Sequence, residues 1–552
     1  MVWHTHPMGE CNEPKKTALA QASEDAMAID TMGGRMHVRW DGTAQATPHG
    51  QIVFFAEFLA TAGVFDRWVQ ACPLHYSSPN ASSARDMLGT LMLGILAGSK
   101  RYAHIAGVRG DAVAAKALGL KGMVSEDSVR RALKAMQPDA SEPWMRQALM
   151  ASVRDALDRS WVLDLDATVK PLYGRQEGAE VGYNPHKPGR PSHVLHTFWV
   201  GNLRLVLDAV LTSGKQHTSG HAKAAMGRLL DELGDKAPAL VRGDCGYGNE
   251  DIIEVCEQRS LSYLLRLRKT ANVKRLIERL FRREDWTRAT EASQGWQAIE
   301  DELRLSGWSK ARRVVVLRRR IKHDIALRAK RRGQDDEQLV LALPFDEVQD
   351  NAQIWEYTVL ATNVQYGIAA IGQLYRDRCD CENGFDELKN QWGWGGFTTQ
   401  DMHRSQITAR AVALVYNWWS WYVRAANPNA RREALTSRPL LLAAVGRATS
   451  SGNQTTLYLT PMHAEVGLIK SMIANVHAAI QHVRLAAEQL PKLDRWAALL
   501  AYICQRIVGQ IGLPTPPPAA AADSSAPRVW RSGWPRARTN STSCRPAPPR
   551  VR

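Results

Sequence analysis

Metal-assisted phosphoryl transfer needs acidic side chains that hold two hard cations about 4 Å apart, and candidates stand in separate parts of this chain. Residues 161–168 alternate, with Leu163, Leu165 and Ala167 on one side and Asp164, Asp166 and Thr168 on the other. That two-residue period is the mark of a strand, and it leaves Asp164 and Asp166 as competing candidates. Asp244 ends a short apolar run and opens a glycine turn, Gly243-Asp-Cys-Gly-Tyr-Gly248, the kind of place where α/β sheets expose functional groups. Glu382 lies in the stretch 375–389. Drawn as one helix at about 100° per residue, this stretch sets Tyr375, Arg378, Glu382 and Lys389 within an arc of roughly 60°. An apolar stripe of Leu374, Cys381, Phe385 and Leu388 adjoins them. One carboxylate, two cations and a phenol on one ridge suit a polyanion and a divalent metal held close together.

The elements that must position these acids follow from periodicity. After the strand at 161–168 come strands at 193–200 and 203–211, turned at Gly201-Asn202. A helix at 221–233, a strand at 239–242, a helix capped by Asn249 and running to Gln258, and a strand at 261–267 complete the order β-β-β-α-β-α-β. Residues 267–355 are basic and irregular, with Trp286, Trp296 and Trp308 interspersed and strands expected at 314–317 and 339–343. They read as a β-rich insertion, after which 355–361 returns to the core. Upstream, 51–72 and 84–96 read as apolar helices. Ser125 caps a further helix that has acids in its first turn and Arg130 and Arg131 after them. With a helix at 111–118 and a turn at 119–122 before it, this resembles a helix-turn-helix, and Arg130 and Arg131 are its candidate DNA contacts. The aromatic run in 405–424 reads as core packing.

The 552 residues carry a formal charge of +16 and a pI near 9.6, an excess that favours nucleic acid as partner. Eight scattered cysteines without a CxxC pair exclude a zinc ribbon and fit a reducing cytoplasm. Neither a secretory signal nor a membrane span is expected.

Tyr375-x2-Arg378-x3-Glu382-x6-Lys389 resembles the Y-R-E-K signature of bacterial insertion-sequence transposases, cut-and-paste DDE enzymes, and the element order read above is that of the RNase H fold. The resemblance implies an α/β protein: an RNase H-like catalytic core with a mixed sheet, interrupted by a β-rich insertion and flanked by a helical N-terminal DNA-binding region and a helical C-terminal region. It divides the chain into a poorly ordered segment 1–45, a DNA-binding domain 46–150, a catalytic domain 155–430 with the insertion at about 271–353, helices at 431–513 and a disordered tail 514–552. Asp166-Ala-Thr-Val169 matches the family's first acidic strand and selects Asp166 over Asp164. Asp166, Asp244 and Glu382 are then the catalytic metal ligands, for Mg²⁺ with Mn²⁺ able to substitute. Tyr375, Arg378 and Lys389 would grip phosphates, and the loop 176–193, which resembles that of one transposase group, would turn Lys187 and Arg190 toward double-stranded DNA. An insertion tryptophan stacks on a flipped base in relatives, and Trp286, Trp296 and Trp308 are the candidates here. A bacterial cytoplasmic enzyme that dimerises on transposon ends is the implied function. The alternatives are a catalytically inactive, transposase-derived DNA-binding protein and another RNase H-like nuclease.

Overall fold

The computed structural model describes residues 26–75, 81–184, 187–215, 218–291, 293–321, 354–460, 462–486 and 492–507. The expected strand at 339–343, the basic run 330–332, the tail 514–552 and residues 1–25 lie outside them. So do the side chains of residues 379–382, including Glu382.

The expected acids Asp166 and Asp244 lie on, and just past the end of, two strands of a mixed sheet with nine strands among the described residues. Its strands are β1 (Val162–Pro171), β2 (Glu180–Val181), β3 (Pro191–Val200), β4 (Leu205–Ser213), β5 (Leu240–Gly243), β6 (Tyr263–Arg266), β7 (Gln297–Leu303), β8 (Arg312–Ile321) and β9 (Ile354–Thr362). The order is β7-β8-β9-β6-β5-β1-β3-β2, with β4 also paired to β3. Strand β1 runs antiparallel to β3 and parallel to β5, and β5 runs parallel to β6. The two parallel steps are bridged by helices α1 (Thr218–Leu233) and α2 (Glu250–Gln258), as parallel neighbours require. Asn249 caps α2, its side chain accepting from the Ile252 amide.

The insertion continues this same sheet: β9 pairs antiparallel with β6, and β8 and β7 follow outward. Helix α3 (Ala271–Phe281) opens it. Helix α4 (Ile368–Arg376) covers one face with Ile371 and Leu374, packed among Leu264, Val315, Leu317 and Leu360. Helix α5 (Cys379–Gln391) follows and lies against β1.

Helix α6 (Met402–Ala426) buries the aromatic run Tyr416, Trp418, Trp419, Trp421 and Tyr422. It also caps an edge. β4 leaves one row of backbone groups without a strand, a hazard that folds commonly cover. Here the Asn417 amide accepts from Val206 N at 3.0 Å and donates to Val206 O at 2.8 Å, while Gln406 donates to Ala209 O at 2.7 Å. Eleven positions apart, these two amides share one helix face. The other side of α6 meets the N-terminal helices: Trp68 stacks on Trp144 with centroids 5.7 Å apart and sits edge-on to Trp418 at 5.6 Å. One core therefore runs from Ile52 to Ile507.

Three stretches depart from the sequence reading. The helix expected over 51–72 is two helices, Ile52–Ala62 and Val64–Gln70, broken at Gly63 with φ +66°, a left-handed conformation natural to glycine. Met27–Thr31 and Gly34–Val38 form an exposed antiparallel hairpin. The C-terminal region is not purely helical: Val445–Ser451 and Gln454–Thr460 pair around a two-residue Gly452-Asn453 turn before the helices Val466–Ala486 and Lys492–Arg506. Among the described residues, no helix is long and apolar enough to cross a membrane.

Candidate active site

Strands β1 and β5 set the two acids. In their parallel register Leu165 lies opposite Gly243, so Asp166 and Asp244 are the next residues on each, where β5 ends. The Asp244 carboxylate accepts from the Gly246 amide at 2.9 Å, and its carbonyl from Tyr247 N at 3.0 Å, which folds the glycine turn back on itself. Gly243 allows this: a Cβ there would stand 2.8 Å from the Tyr247 Cβ.

Asp164 and Asp166 occupy different surroundings. Asp164 is 1% exposed and bound by both arms of Arg242, Nε and Nη2 each at 2.7 Å. Gly201 leaves it room, since a Cβ at that position would be 2.2 Å from its carboxylate. Its two oxygens are committed to structure. Asp166 meets Arg378, with Nη2 to Oδ2 at 2.6 Å, and its Oδ1 accepts from the Ala167 amide at 2.8 Å.

The expectation of one continuous helix carrying Tyr375, Arg378, Glu382 and Lys389 is corrected. The chain breaks at Asp377 and Arg378, which fall between α4 and α5. In an unbroken helix the Leu374 carbonyl would accept from the Arg378 amide. Here Arg242 Nη1 takes that carbonyl at 2.6 Å, and Arg378 N turns to Tyr375 O at 3.1 Å. The buried Arg242 therefore ties Asp164 to the end of α4, and the break leaves Arg378 at the position just before α5, without a side-chain capping bond.

The expected partners still converge on this end of the sheet. Burial pushes the Tyr375 phenol up to about 12, with Arg378 opposing and Asp244 adding to the rise. Burial lowers the Lys389 ammonium, and the Asp166 charge opposes that shift. Each acid thus lies within electrostatic reach of one of these groups. Glu382 is on α5, four positions after Arg378. Other expected DNA contacts lie elsewhere. Arg130 and Arg131 are on the helix Glu126–Ala135, capped by Ser125 as expected. Arg130 pairs with Asp127, and Arg131 is exposed. Lys187 and Arg190 sit on the turn before β3, both over the exposed Tyr173 ring at 4.9 and 4.7 Å.

The insertion tryptophans are buried. Trp286 carries Arg318 at 3.8 Å from its ring centre, Trp296 carries Arg319 at 4.8 Å and Trp308 carries Arg312 at 5.1 Å. Cations already occupy the rings that a base would stack on.

Among the described residues, no three His, Cys, Asp or Glu side chains cluster closely enough to hold a metal ion. Asp166, mid-strand on β1, and Asp244, just past the end of neighbouring β5, both offer carboxylate oxygens, the donor type that magnesium and manganese take. Their chemistry fits such a cation, and Glu382 lies on α5, the helix that packs against β1.

Residues 31–484 match the family model described as transposase DDE domain group 1, and the chain belongs to that family. No curated protein matches it. Among solved structures, the piggyBac transposase synaptic complex with hairpin DNA aligns at 10% identity and a TM-score of 0.35, covering 88% of this chain and 89% of that one. That score is too low to compare the two residue by residue.

Proposed function

We propose that this chain is a DNA transposase that cuts and rejoins duplex DNA at the ends of its own insertion sequence, using an RNase H-like core. The observation that carries this is the placement of Asp166 and Asp244 side by side where β1 and β5 part, with the Glu382 helix packed against β1. Asp166, Asp244 and Glu382 would hold Mg²⁺, or Mn²⁺ in its place. Bound there, the ions lower the pKa of an attacking water or hydroxyl and neutralise charge on the leaving oxygen. The protein's own task is positioning. Arg378 and Lys389 bring cations to the phosphates, the former able to hold one with two donors. Tyr375, neutral across the physiological range, contributes a hydrogen-bonding hydroxyl rather than a charge. Arg378 also pairs with Asp166 without DNA, which offsets part of the acid's charge until a phosphate competes for the guanidinium. Lys187, Arg190, Arg130 and Arg131 extend the contact along the duplex, and two copies bridge two ends.

The test is cleavage of a labelled duplex carrying the element's end, with Mg²⁺, by wild type, Asp166→Asn and Glu382→Ala. Cleavage by wild type alone, with DNA binding kept in all three, supports the reading. Binding without cleavage by any of them replaces it with a DNA-binding protein that has lost catalysis. Cleavage by Glu382→Ala removes that residue from the site.

A further inference from the structure

The parallel ladder between β1 and β5 runs out at Leu165 and Gly243, one residue before the acids. The backbone that carries Asp166 therefore keeps Thr197 of β3 opposite it on one side but loses its partner on the β5 side at the point where its position matters most. A side chain replaces it. The Tyr247 hydroxyl donates to the Asp166 carbonyl at 2.9 Å. Tyr247 is 1% exposed and belongs to the turn that begins at Asp244, so a single residue joins the supports of both acids.

The phenol is itself held. His196 Nδ1 lies 3.2 Å from the Tyr247 hydroxyl, and its Nε2 lies 3.2 Å from the Thr212 hydroxyl. The carbonyl at the end of this chain can only accept, which sets its direction. Tyr247 donates to Asp166, so its oxygen accepts from His196 Nδ1–H, and Nε2 accepts from the Thr212 hydroxyl, for which the Val194 carbonyl at 3.3 Å competes. Burial holds the imidazole down to about 4, so it carries one N–H, as this direction demands. The relay crosses β4, β3 and β1 and ends on the backbone of a candidate metal ligand.

We infer that Tyr247, braced by His196 and Thr212, is a positioning residue that sets the spacing of Asp166 and Asp244 and hence the affinity of the site for a divalent cation. This rests on the reading proposed above. Neither side chain touches the reacting atoms; both act through the Asp166 carbonyl.

The experiment uses the full chain with the element-end duplex. It measures Mn²⁺ binding by electron paramagnetic resonance, the Mg²⁺ dependence of cleavage, DNA affinity in metal-free buffer, and thermal unfolding. Tyr247→Phe removes one hydroxyl. It is expected to weaken Mn²⁺ binding and raise half-saturating Mg²⁺ by roughly three- to tenfold, the worth of one hydrogen bond. Saturating Mg²⁺ should restore most of the rate, with metal-free DNA affinity and melting temperature kept. His196→Asn keeps an N–H donor near Nδ1 and should behave as wild type, whereas His196→Leu should match Tyr247→Phe. Unchanged Mn²⁺ affinity in both Tyr247→Phe and His196→Leu overturns the inference. So does an equal loss in His196→Asn and His196→Leu, which marks simple packing. Asp166→Asn in the same titration separates the two levels. If it binds Mn²⁺ as wild type does, the carboxylate assignment falls and takes this inference with it. If it loses Mn²⁺ while Tyr247→Phe does not, only this inference falls.

Discussion

Arginines in the two halves of the long sheet meet different partners. Around β1 and β5 they face carboxylates: Arg242 on Asp164, Arg378 on Asp166. Around β8 and β9 they face rings as well as acids, Arg319 meeting both Trp296 and Glu356. Arg318 lies between Trp286 and Trp355, 3.8 and 4.6 Å from their centres, and Arg319 covers Trp296. Burial explains the choice. Arg242 is 4% exposed, and a cation taken that far from water needs an opposite charge. Arg318 and Arg319 are half-buried, so an aromatic face suffices for much of their surface. Acids meet cations in both halves, but in the first half two acids on one strand diverge, Asp164 closed against Arg242 and Asp166 held by Arg378.

The sharpest way to break this contrast is to neutralise the two acids separately. Asp166→Asn should cut strand cleavage on the order of 10³-fold or more with little change in the denaturation midpoint. Asp164→Ala should do the reverse. It strands a buried guanidinium and weakens the fold by about 3–5 kcal/mol, read from the tryptophan-fluorescence midpoint, while folded molecules still cleave. Combining Asp164→Leu with Arg242→Met should recover most of that loss, because no charge is left unpaired. If the double variant is no better than the single, the pair is not what holds this end of the sheet.

Arg312 lies between the two regimes. It stacks on Trp308 and also pairs with Glu250 and Glu257 of α2, fastening β8 to the core. Arg312→Met should lower the midpoint by about 1–2 kcal/mol, less than for Arg242 because both partners are partly solvated. Hydrogen bonds from Arg312 hold the Glu257 carboxyl down to about 2, against 4.5 for the free group. A carboxyl depressed in the folded state stabilises fully above its unfolded value and loses that contribution as pH falls from about 4.5 to 2. Wild type should therefore destabilise more steeply than Arg312→Met across that interval in an acid titration of the midpoint. The smallest effect is expected at Arg318→Met, about 0.5–1 kcal/mol, with cleavage rate unchanged. A fall in DNA affinity there would extend the working surface into the insertion.

Local patterns in the chain carried the acids further than their surroundings. Alternation around Asp166, the glycine turn after Asp244 and the caps at Ser125 and Asn249 are properties of neighbouring residues, and the structure has strands and helices there. The Gly452-Asn453 hairpin was equally legible and went unread, because its flanking strands are polar rather than alternating. The break before α5 had no local sign. It depends on Arg242 reaching the Leu374 carbonyl across 132 positions, and no helical wheel registers a distant donor. The arginine covers of the insertion tryptophans are set by strand register, such as Gln297 opposite Arg318, rather than by proximity in sequence. Tyr247 was overlooked for the same reason: its partner is Asp166, 81 positions away.

The amides of α6 that close the open side of β4 are separated from it by 211 residues in the case of Asn417 and Val206. A ribosome adds about 5–20 residues each second, so β4 emerges roughly ten to forty seconds before the helix that covers it. Throughout that interval the nascent chain shows a bare strand edge and the apolar faces of its N-terminal helices. Synthesis of this protein should therefore depend on chaperones that shield such surfaces. Premature termination before α6 should yield aggregates rather than a smaller working enzyme.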